Sequence, residues 1–174
     1  MISIAMRMAA LAALLALTTA QATTAKLVAP EVEYPGGTRV EPPGHGVSFT
    51  IPEGWNGMLP KGVAFFVMGS QAQKAYVFAL TDKLTQEKAL SNMQQPLELG
   101  NGLTLQLQGK VQQQKDTLTA NYDVVGTDSP LTGYVETLVG KGGTGVSFVA
   151  ISAPETADGV VDVVHALIED TSLQ

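Results

Sequence analysis

The sequence predicts an α+β domain with a mostly antiparallel sheet of about six to seven strands and helices packed on it, an α/β/α sandwich. Three observations predict it. Several segments alternate apolar and polar residues and are separated by short polar turns, which is typical of strands joined by hairpins. The segments 63–68 and 75–80 are apolar almost throughout, so both faces of the sheet are expected to be covered. Near the C-terminus the apolar residues instead recur at helical spacing.

Seven segments carry the strand pattern, beginning with 47–51, where Val47, Phe49 and Ile51 alternate with polar residues. The polar residues 69–74 and 115–116 predict hairpin turns between neighbouring strands. The predicted strands are 47–51, 63–68, 75–80, 103–107, 118–124, 134–139 and 144–151.

Two helices are predicted. The first covers 85–93, with Thr85 as its cap and Pro96 beyond its end. The second follows Ser152 and Glu155, whose spacing fits a capping box, with Pro154 in the first turn. Its apolar stripe faces the core and consists of Val160, Val163, Val164, Leu167 and Ile168.

The N-terminal segment has the pattern of an export signal. Residues 1–7 carry one positive charge, 8–17 are an apolar run, and Ala20-Gln21-Ala22 is a small-x-small cleavage site, so segment 1–22 is predicted to be a signal peptide. The alternative is a retained membrane anchor, because 8–25 is uncharged and near the lower length limit of a spanning helix. Cleavage is favoured because the second half of that stretch is rich in Thr, Gln and Ala. The protein is therefore expected to be periplasmic or extracellular, without a stable membrane anchor after cleavage.

Composition narrows the partners and the chemistry. The chain is 45% hydrophobic and 15% charged, which is typical of a globular domain. Its net charge of −6 becomes −7 without Arg7, and the remaining basic residues are scattered, which argues against nucleic acid or an anionic membrane surface as a partner. The chain has no cysteine, so disulfides, thiol chemistry, cysteine-ligated metals and a lipoprotein anchor are excluded.

Segment 23–45 is rich in proline and glycine and is predicted to be an extended arm without regular elements. Two interpretations stay open: a tether that reaches a partner, or a disordered leader, which is the commoner state of a terminus. The remaining residues, 46–174, are expected to form a single α+β domain.

One sequence motif matches a cofactor fingerprint in its letters only. Residues 140–145 read G-x-G-x-x-G, but a dinucleotide site needs a helix after the glycines, and here a predicted strand follows. A hairpin turn that uses glycine at positive φ explains the pattern better. No cofactor is therefore predicted.

The histidines do not define a catalytic or metal site. His165 lies on the predicted terminal helix with Asp162 and Glu169 within reach, which suits either a metal ligand set or, more commonly, a solvated charge-paired face. His45 lies in a proline- and glycine-rich loop. The chain lacks the G-x-S-x-G elbow of serine hydrolases, and none of its sixteen acidic residues stands out by context. No catalytic and no metal-binding residue is assigned.

Three aromatic residues are candidates for a ligand or partner surface: Trp55, Tyr76 and Tyr134. Trp55 is the sole tryptophan and lies in a predicted turn, where it either lines a groove or folds back over the sheet edge. The tyrosines lie in predicted strands, where a structural role is the alternative.

The segment 47–55, VSFTIPEGW, resembles the first strand and the P-x-G-W turn of the PsbP-like superfamily, which includes the DcrB-like bacterial exported proteins. The predicted order of elements is also similar, over about 46–173. The resemblance implies an antiparallel sheet sandwiched by helices, used for assembly and binding and not for catalysis. It provides no catalytic set to carry over, and the acidic metal-binding positions of some members cannot be matched here.

Three functional hypotheses follow. The first is an exported non-catalytic domain that binds a protein partner or assists an envelope assembly. The second is a binding module for a small apolar or amphipathic ligand, and the third, a remote alternative, is a hydrolase with an unrecognised site. The second hypothesis depends on a set of aromatic rings on neighbouring predicted elements: Trp55, Phe65, Phe66, Tyr76 and Phe78.

Overall fold

The computed structural model describes residues 24–100 and 102–174. The predicted signal peptide, 1–22, lies outside the described residues. The strands are β1 (Lys26–Leu27), β2 (Glu33–Pro35), β3 (Arg39–Glu41), β4 (Val47–Thr50), β5 (Asn56–Met58), β6 (Phe65–Ser70), β7 (Ala75–Lys83), β8 (Leu97–Gly100), β9 (Leu103–Gln114), β10 (Thr117–Val125), β11 (Thr132–Val139), β12 (Thr144–Ser152) and β13 (Ser172–Leu173). The helices are α1 (Gln86–Met93) and α2 (Ala157–Asp170), the latter preceded by a 3-10 turn (Pro154–Thr156).

The strands form one large and one small sheet. The large sheet has nine strands in the order β2-β5-β6-β7-β12-β11-β10-β9-β8, and every neighbouring pair is antiparallel. The small sheet has the order β1-β3-β4-β13. The predicted α+β class and antiparallel sheet are therefore confirmed. The predicted strand count is too low, because β2, β5 and β8 have only three or four residues and show no readable alternation.

The prediction that segment 23–45 has no regular elements is wrong. It contains three strands: β2 pairs with β5, β3 pairs with β4, and β1 pairs with β3. Val28, Tyr34 and Val40 from this segment are buried in the same core as α2. Each of these strands is only two or three residues long, so it fits between the prolines and glycines of the segment. Pro35 ends an edge strand, where proline is tolerated.

A separate hydrophobic core lies on each face of the large sheet. On the face that we call the α2 face, Val164 and Leu167 of α2 pack in one cluster with Phe148 and Phe66 of the sheet, and Phe49 of β4 closes it. On the opposite face, the α1 face, α1 joins the second cluster through two buried residues, Ala89 and Met93. The helices therefore cover opposite faces, which explains why the central strands are apolar on both sides.

The helix starts differ in how well they were predicted. The Thr85 hydroxyl accepts a hydrogen bond from the Lys88 amide, which confirms the cap of α1. The capping box of Ser152 and Glu155 is wrong: Ser152 is the last residue of β12, and α2 has no side-chain cap. Strand pairing holds Ser152, and the 3-10 turn that begins at Pro154 delays the start of α2 to Ala157.

A polar contact ties the C-terminal end of α2 to the small sheet. The Arg39 guanidinium on β3 lies 3.1 Å from the Asp170 carboxylate, the last residue of α2. The same carboxylate accepts a hydrogen bond from the backbone amide of Thr50 at 2.6 Å. These contacts help to fix the position of α2 over the large sheet.

Tyr122 provides a pH-dependent prediction. Its hydroxyl donates a hydrogen bond of 2.6 Å to the Met93 carbonyl, and burial raises the pKa of Tyr122 to about 12. Because the unfolded chain loses this proton near its ordinary pKa of about 10, the free energy of unfolding is expected to fall as the pH rises from 10 to 12. An absorbance titration should show a phenolate component near pH 12 that Tyr122→Phe lacks. At neutral pH, Tyr122→Phe should cost about 1 kcal/mol of stability. An unchanged titration in that variant would contradict this assignment.

Candidate functional site

The two helices leave two open areas on the large sheet, and each forms a groove. On the α1 face the open area lies over β2, β5, β6 and β7, with a volume of about 590 Å³. On the α2 face it lies over β9, β10 and β11 beside α2, with a volume of about 600 Å³. Both grooves have a rigid sheet as their floor, which is suited to holding side chains in fixed positions.

The first groove, here called the Tyr76 groove, is the more apolar one. Tyr76 is 59% exposed and Met58 is 39% exposed. Tyr76 lies directly opposite Gly69 on the neighbouring strand, and a Cβ atom built at Gly69 would lie 3.2 Å from the tyrosine ring. The ring therefore lies over the glycine backbone, in the space that a larger residue would fill. The Tyr76 groove is also lined by Glu33, Asn56, Val67, Gln71 and Lys74.

The second groove, here called the Glu136 groove, begins where the sheet face changes from apolar to polar. Along one row of the α2 face, Phe148 on β12 lies beside Glu136 on β11, and Glu136 lies beside Thr119 on β10. Gln112 on β9 continues the row. The apolar part of the row is covered by α2, and the polar part is open to the groove.

Glu136 is the most buried charged residue of this groove. It is only 5% exposed, and its Oε2 atom lies 2.6 Å from Nδ1 of His165 on α2. The same oxygen accepts a hydrogen bond of 3.1 Å from the Tyr134 hydroxyl. The rings of Tyr134 and His165 also pack against each other at an angle of 73°, with a centroid distance of 5.7 Å. Burial, with a smaller contribution from the Glu136 charge, raises the pKa of Tyr134 well above its ordinary value.

This cluster corrects the sequence analysis of His165. The expected partners were Asp162 and Glu169 on the same helix, but the close polar contact is made with Glu136, on a strand that α2 crosses. Helical spacing identifies neighbours within one helix only, so it could not reveal a partner on the sheet. Glu136 did carry one signal, because it is the one acidic residue of the predicted strand 134–139.

A β-bulge shapes the outer wall of the Glu136 groove. The pairing of β9 with β10 shifts between Thr119 and Asn121, which lie opposite Gln112 and Gln108. Gly109 lies in the extra segment with a φ of 78°, a conformation that favours glycine. Bulges bend a strand and redirect its side chains, and the neighbouring Lys110 lines the groove.

Comparison with known proteins identifies the fold. No protein-family model matches the chain, and no curated protein matches it. The solution structure of cyanobacterial PsbP (CyanoP) from Synechocystis sp. PCC 6803 is similar, with a TM-score of 0.54 and 14% sequence identity. The match covers 84% of this chain and 97% of that chain. The chain has a PsbP-like fold. The resemblance seen at 47–55 is thereby confirmed for the fold.

Within the PsbP-like fold, the three aromatic residues predicted to form a ligand or partner surface differ in their exposure to solvent. Tyr76 is exposed in its groove, and Tyr134 is half-buried at the floor of the Glu136 groove. Trp55 is not a surface residue: it is 1% exposed and packs with Ile51 and Phe66 in the α2-face core. It lies immediately before β5, and burying its large ring is strongly favourable, so the turn folds over the core.

The other motifs of the sequence have structural roles. Residues 140–143 form the turn between β11 and β12, with Gly143 at a φ of 73°, and the last two residues of the motif begin β12, so the predicted hairpin turn is confirmed. His45 lines a separate cleft of about 230 Å³. Within 24–100 and 102–174, no group of three or more His, Asp or Glu residues is arranged to hold a metal ion. No helix in the described part of the chain is long and apolar enough to span a bilayer.

Proposed function

We propose that this chain is an exported, non-catalytic domain that binds a protein partner of the cell envelope through the Tyr76 groove. The observation that carries the proposal is the 59% exposure of Tyr76 on a rigid sheet, beside the exposed Met58. Exposed tyrosine and methionine are enriched at protein interfaces, and tyrosines often contribute most of the binding energy. Export is supported by the signal pattern of 1–22.

The PsbP-like fold supports an accessory role, because the resemblance implies binding and assembly. A fold does not determine a function, so the proposed partner binding rests on the residues of the Tyr76 groove. Lys74 and Glu33 flank the apolar residues, which gives the groove both a positive and a negative group at its rim. A partner segment with an apolar side chain between polar residues fits this arrangement.

A small apolar or amphipathic ligand is the second candidate. A volume of about 590 Å³ falls within the range of small-molecule sites, roughly 300–1,000 Å³. The aromatic set on which this hypothesis depended is divided, however. Trp55 and Phe66 are buried in the α2-face core, whereas Phe65, Tyr76 and Phe78 lie on the other face.

A photo-crosslinking amino acid at position 76 of the exported protein tests the proposal. The control position is Asp128, an exposed residue in the loop between β10 and β11. A defined protein adduct at 76 that is absent at 128 is the expected result, and equal labelling at both would contradict it.

Native mass spectrometry of the same protein tests cleavage after Ala22. A bound small molecule lost in Tyr76→Ala would favour the ligand alternative.

Tyr76→Ala is expected to weaken binding of the captured partner at least tenfold, because truncating an aromatic hot spot typically costs about 2 kcal/mol. Its free energy of unfolding should stay within about 0.5 kcal/mol, since the side chain is exposed. Tyr76→Phe keeps the ring and is the matched control, with near-normal affinity. Titration calorimetry with the purified partner measures both variants, and normal affinity in Tyr76→Ala would exclude the groove as the interface.

A further inference from the structure

The Glu136 groove has a chemistry that the protein-binding proposal does not use. The floor combines side-chain amides with hydroxyl groups, and each can both donate and accept a hydrogen bond. The amides are those of Gln112, Gln114 and Asn121, and the hydroxyls are those of Thr119 and Tyr134. An uncharged ligand with many hydroxyl groups matches this set, because each sugar hydroxyl also donates and accepts.

The charges of the groove favour a neutral ligand. Lys110 lines it together with Glu136 and Glu169, so both signs of charge are present. An anionic ligand would meet the two carboxylates, and a cationic one would meet the lysine. A polyol can instead use all of these groups as hydrogen-bond partners.

Glu136 provides a fixed acceptor. Both of its contacts, to His165 Nδ1 and to the Tyr134 hydroxyl, are made through Oε2, which holds the carboxylate in one orientation and leaves Oε1 for a further donor. An apolar residue would extend the neighbouring Phe148 side of the core, whereas burying a carboxylate costs free energy that its hydrogen bonds must offset. A carboxylate at this position therefore suggests recognition and not packing.

The groove also has the extent of a chain-shaped ligand. It has a volume of about 600 Å³. An adjoining cleft of about 200 Å³ shares Asn121, Tyr134 and Val161 with it. A peptide added to the edge of β9 is disfavoured because the bulge at Gly109 interrupts the regular spacing of its backbone groups. We propose that the Glu136 groove binds a neutral oligosaccharide.

The experiment is an NMR titration of the exported, processed chain with two neutral trisaccharides, triacetylchitotriose and maltotriose. Saturable shift changes in β9, β10, β11 and α2 with at least one of them are expected. Glu136→Gln keeps the size of the side chain and should weaken that binding about tenfold. Glu33→Gln, the same change in the Tyr76 groove, should leave the affinity unchanged.

Several results would overturn the proposal. These are the absence of saturable shifts with either sugar, shifts confined to the Tyr76 groove, or equal weakening by Glu136→Gln and Glu33→Gln. Binding of a glutamine-rich hexapeptide at the same residues without sugar binding would also overturn it. If Glu136→Gln loses its dispersed spectrum, Asn121→Ala replaces it, with the same expected weakening. Because crosslinking at Tyr76 tests the other groove, each proposal can fail separately.

Discussion

Replacing Trp55 with alanine is expected to lower the free energy of unfolding by about 3–5 kcal/mol, the usual cost of removing a large buried aromatic ring. Trp55 is 1% exposed and lies in the core beneath α2, with Phe66 and Ile51 in the same cluster. The cavity left by the indole would lie in a core that contains residues of both sheets, whose strands are held by pairing. Partial collapse would therefore recover little of the lost packing.

The comparison variant is Tyr76→Ala, which also removes an aromatic ring, but from the α1 face of the large sheet. Because that ring is exposed, its loss should change the free energy of unfolding by no more than about 0.5 kcal/mol. Urea denaturation followed by far-ultraviolet circular dichroism measures both variants without relying on tryptophan fluorescence. Equal destabilisation by the two changes would mean that Trp55 is not a core residue. In the unchanged protein, tryptophan emission should be blue-shifted and move to the red on unfolding.

Replacing Gly57 with alanine is expected to lower the free energy of unfolding by about 1–3 kcal/mol, the usual cost of overpacking a core. A Cβ atom at Gly57 would lie 2.5 Å from the Phe66 ring and 2.9 Å from Cδ1 of Ile51. Both of those side chains are fully buried. The added methyl group therefore requires a shift of the ring or of β5.

Gly142→Ala is the matched control. It lies in the turn between β11 and β12, where an added Cβ atom has no heavy atom within 4 Å, and its φ is not positive. Its stability should be unchanged or raised by up to about 1 kcal/mol, because alanine restricts the unfolded chain more than glycine does. Thermal unfolding of the two variants provides the comparison. A loss in Gly142→Ala as large as that in Gly57→Ala would contradict the packing argument.

The regular elements of the fold could be predicted where the pattern was long. α2 and the strands β7, β10 and β12 each have at least nine residues, so the spacing of their apolar positions is clear. The three strands of segment 23–45 have two or three residues each, too few for a period to be seen. They form because β5 offers a hydrogen-bonding edge to β2, β4 offers one to β3, and β3 in turn offers one to β1, which is a tertiary effect.

The candidate sites could be predicted less completely. Tyr76 was identified as a surface candidate and lies in an open groove, whereas Trp55, selected by the same reasoning, is buried. The sequence around Tyr76 and around Trp55 does not distinguish them. Only tertiary packing decides that the Trp55 ring points into the core and the Tyr76 ring towards solvent. Gln112 was not selected, and neither were Thr119 and Asn121, because β9 carries the first and β10 the other two, and they meet only through strand register.

The amino-acid sequence by itself determined the class of fold, the covered antiparallel sheet, the two helices and the glycine turn. These depend on the spacing of residues close together in the chain, which local geometry converts directly into strands, helices and hairpins. Only the tertiary structure decided that His165 pairs with Glu136, that Trp55 is buried, and that two areas of the sheet stay open. Each depends on which strand lies beside which and on where each helix crosses the sheet, and these contacts join residues far apart in the chain.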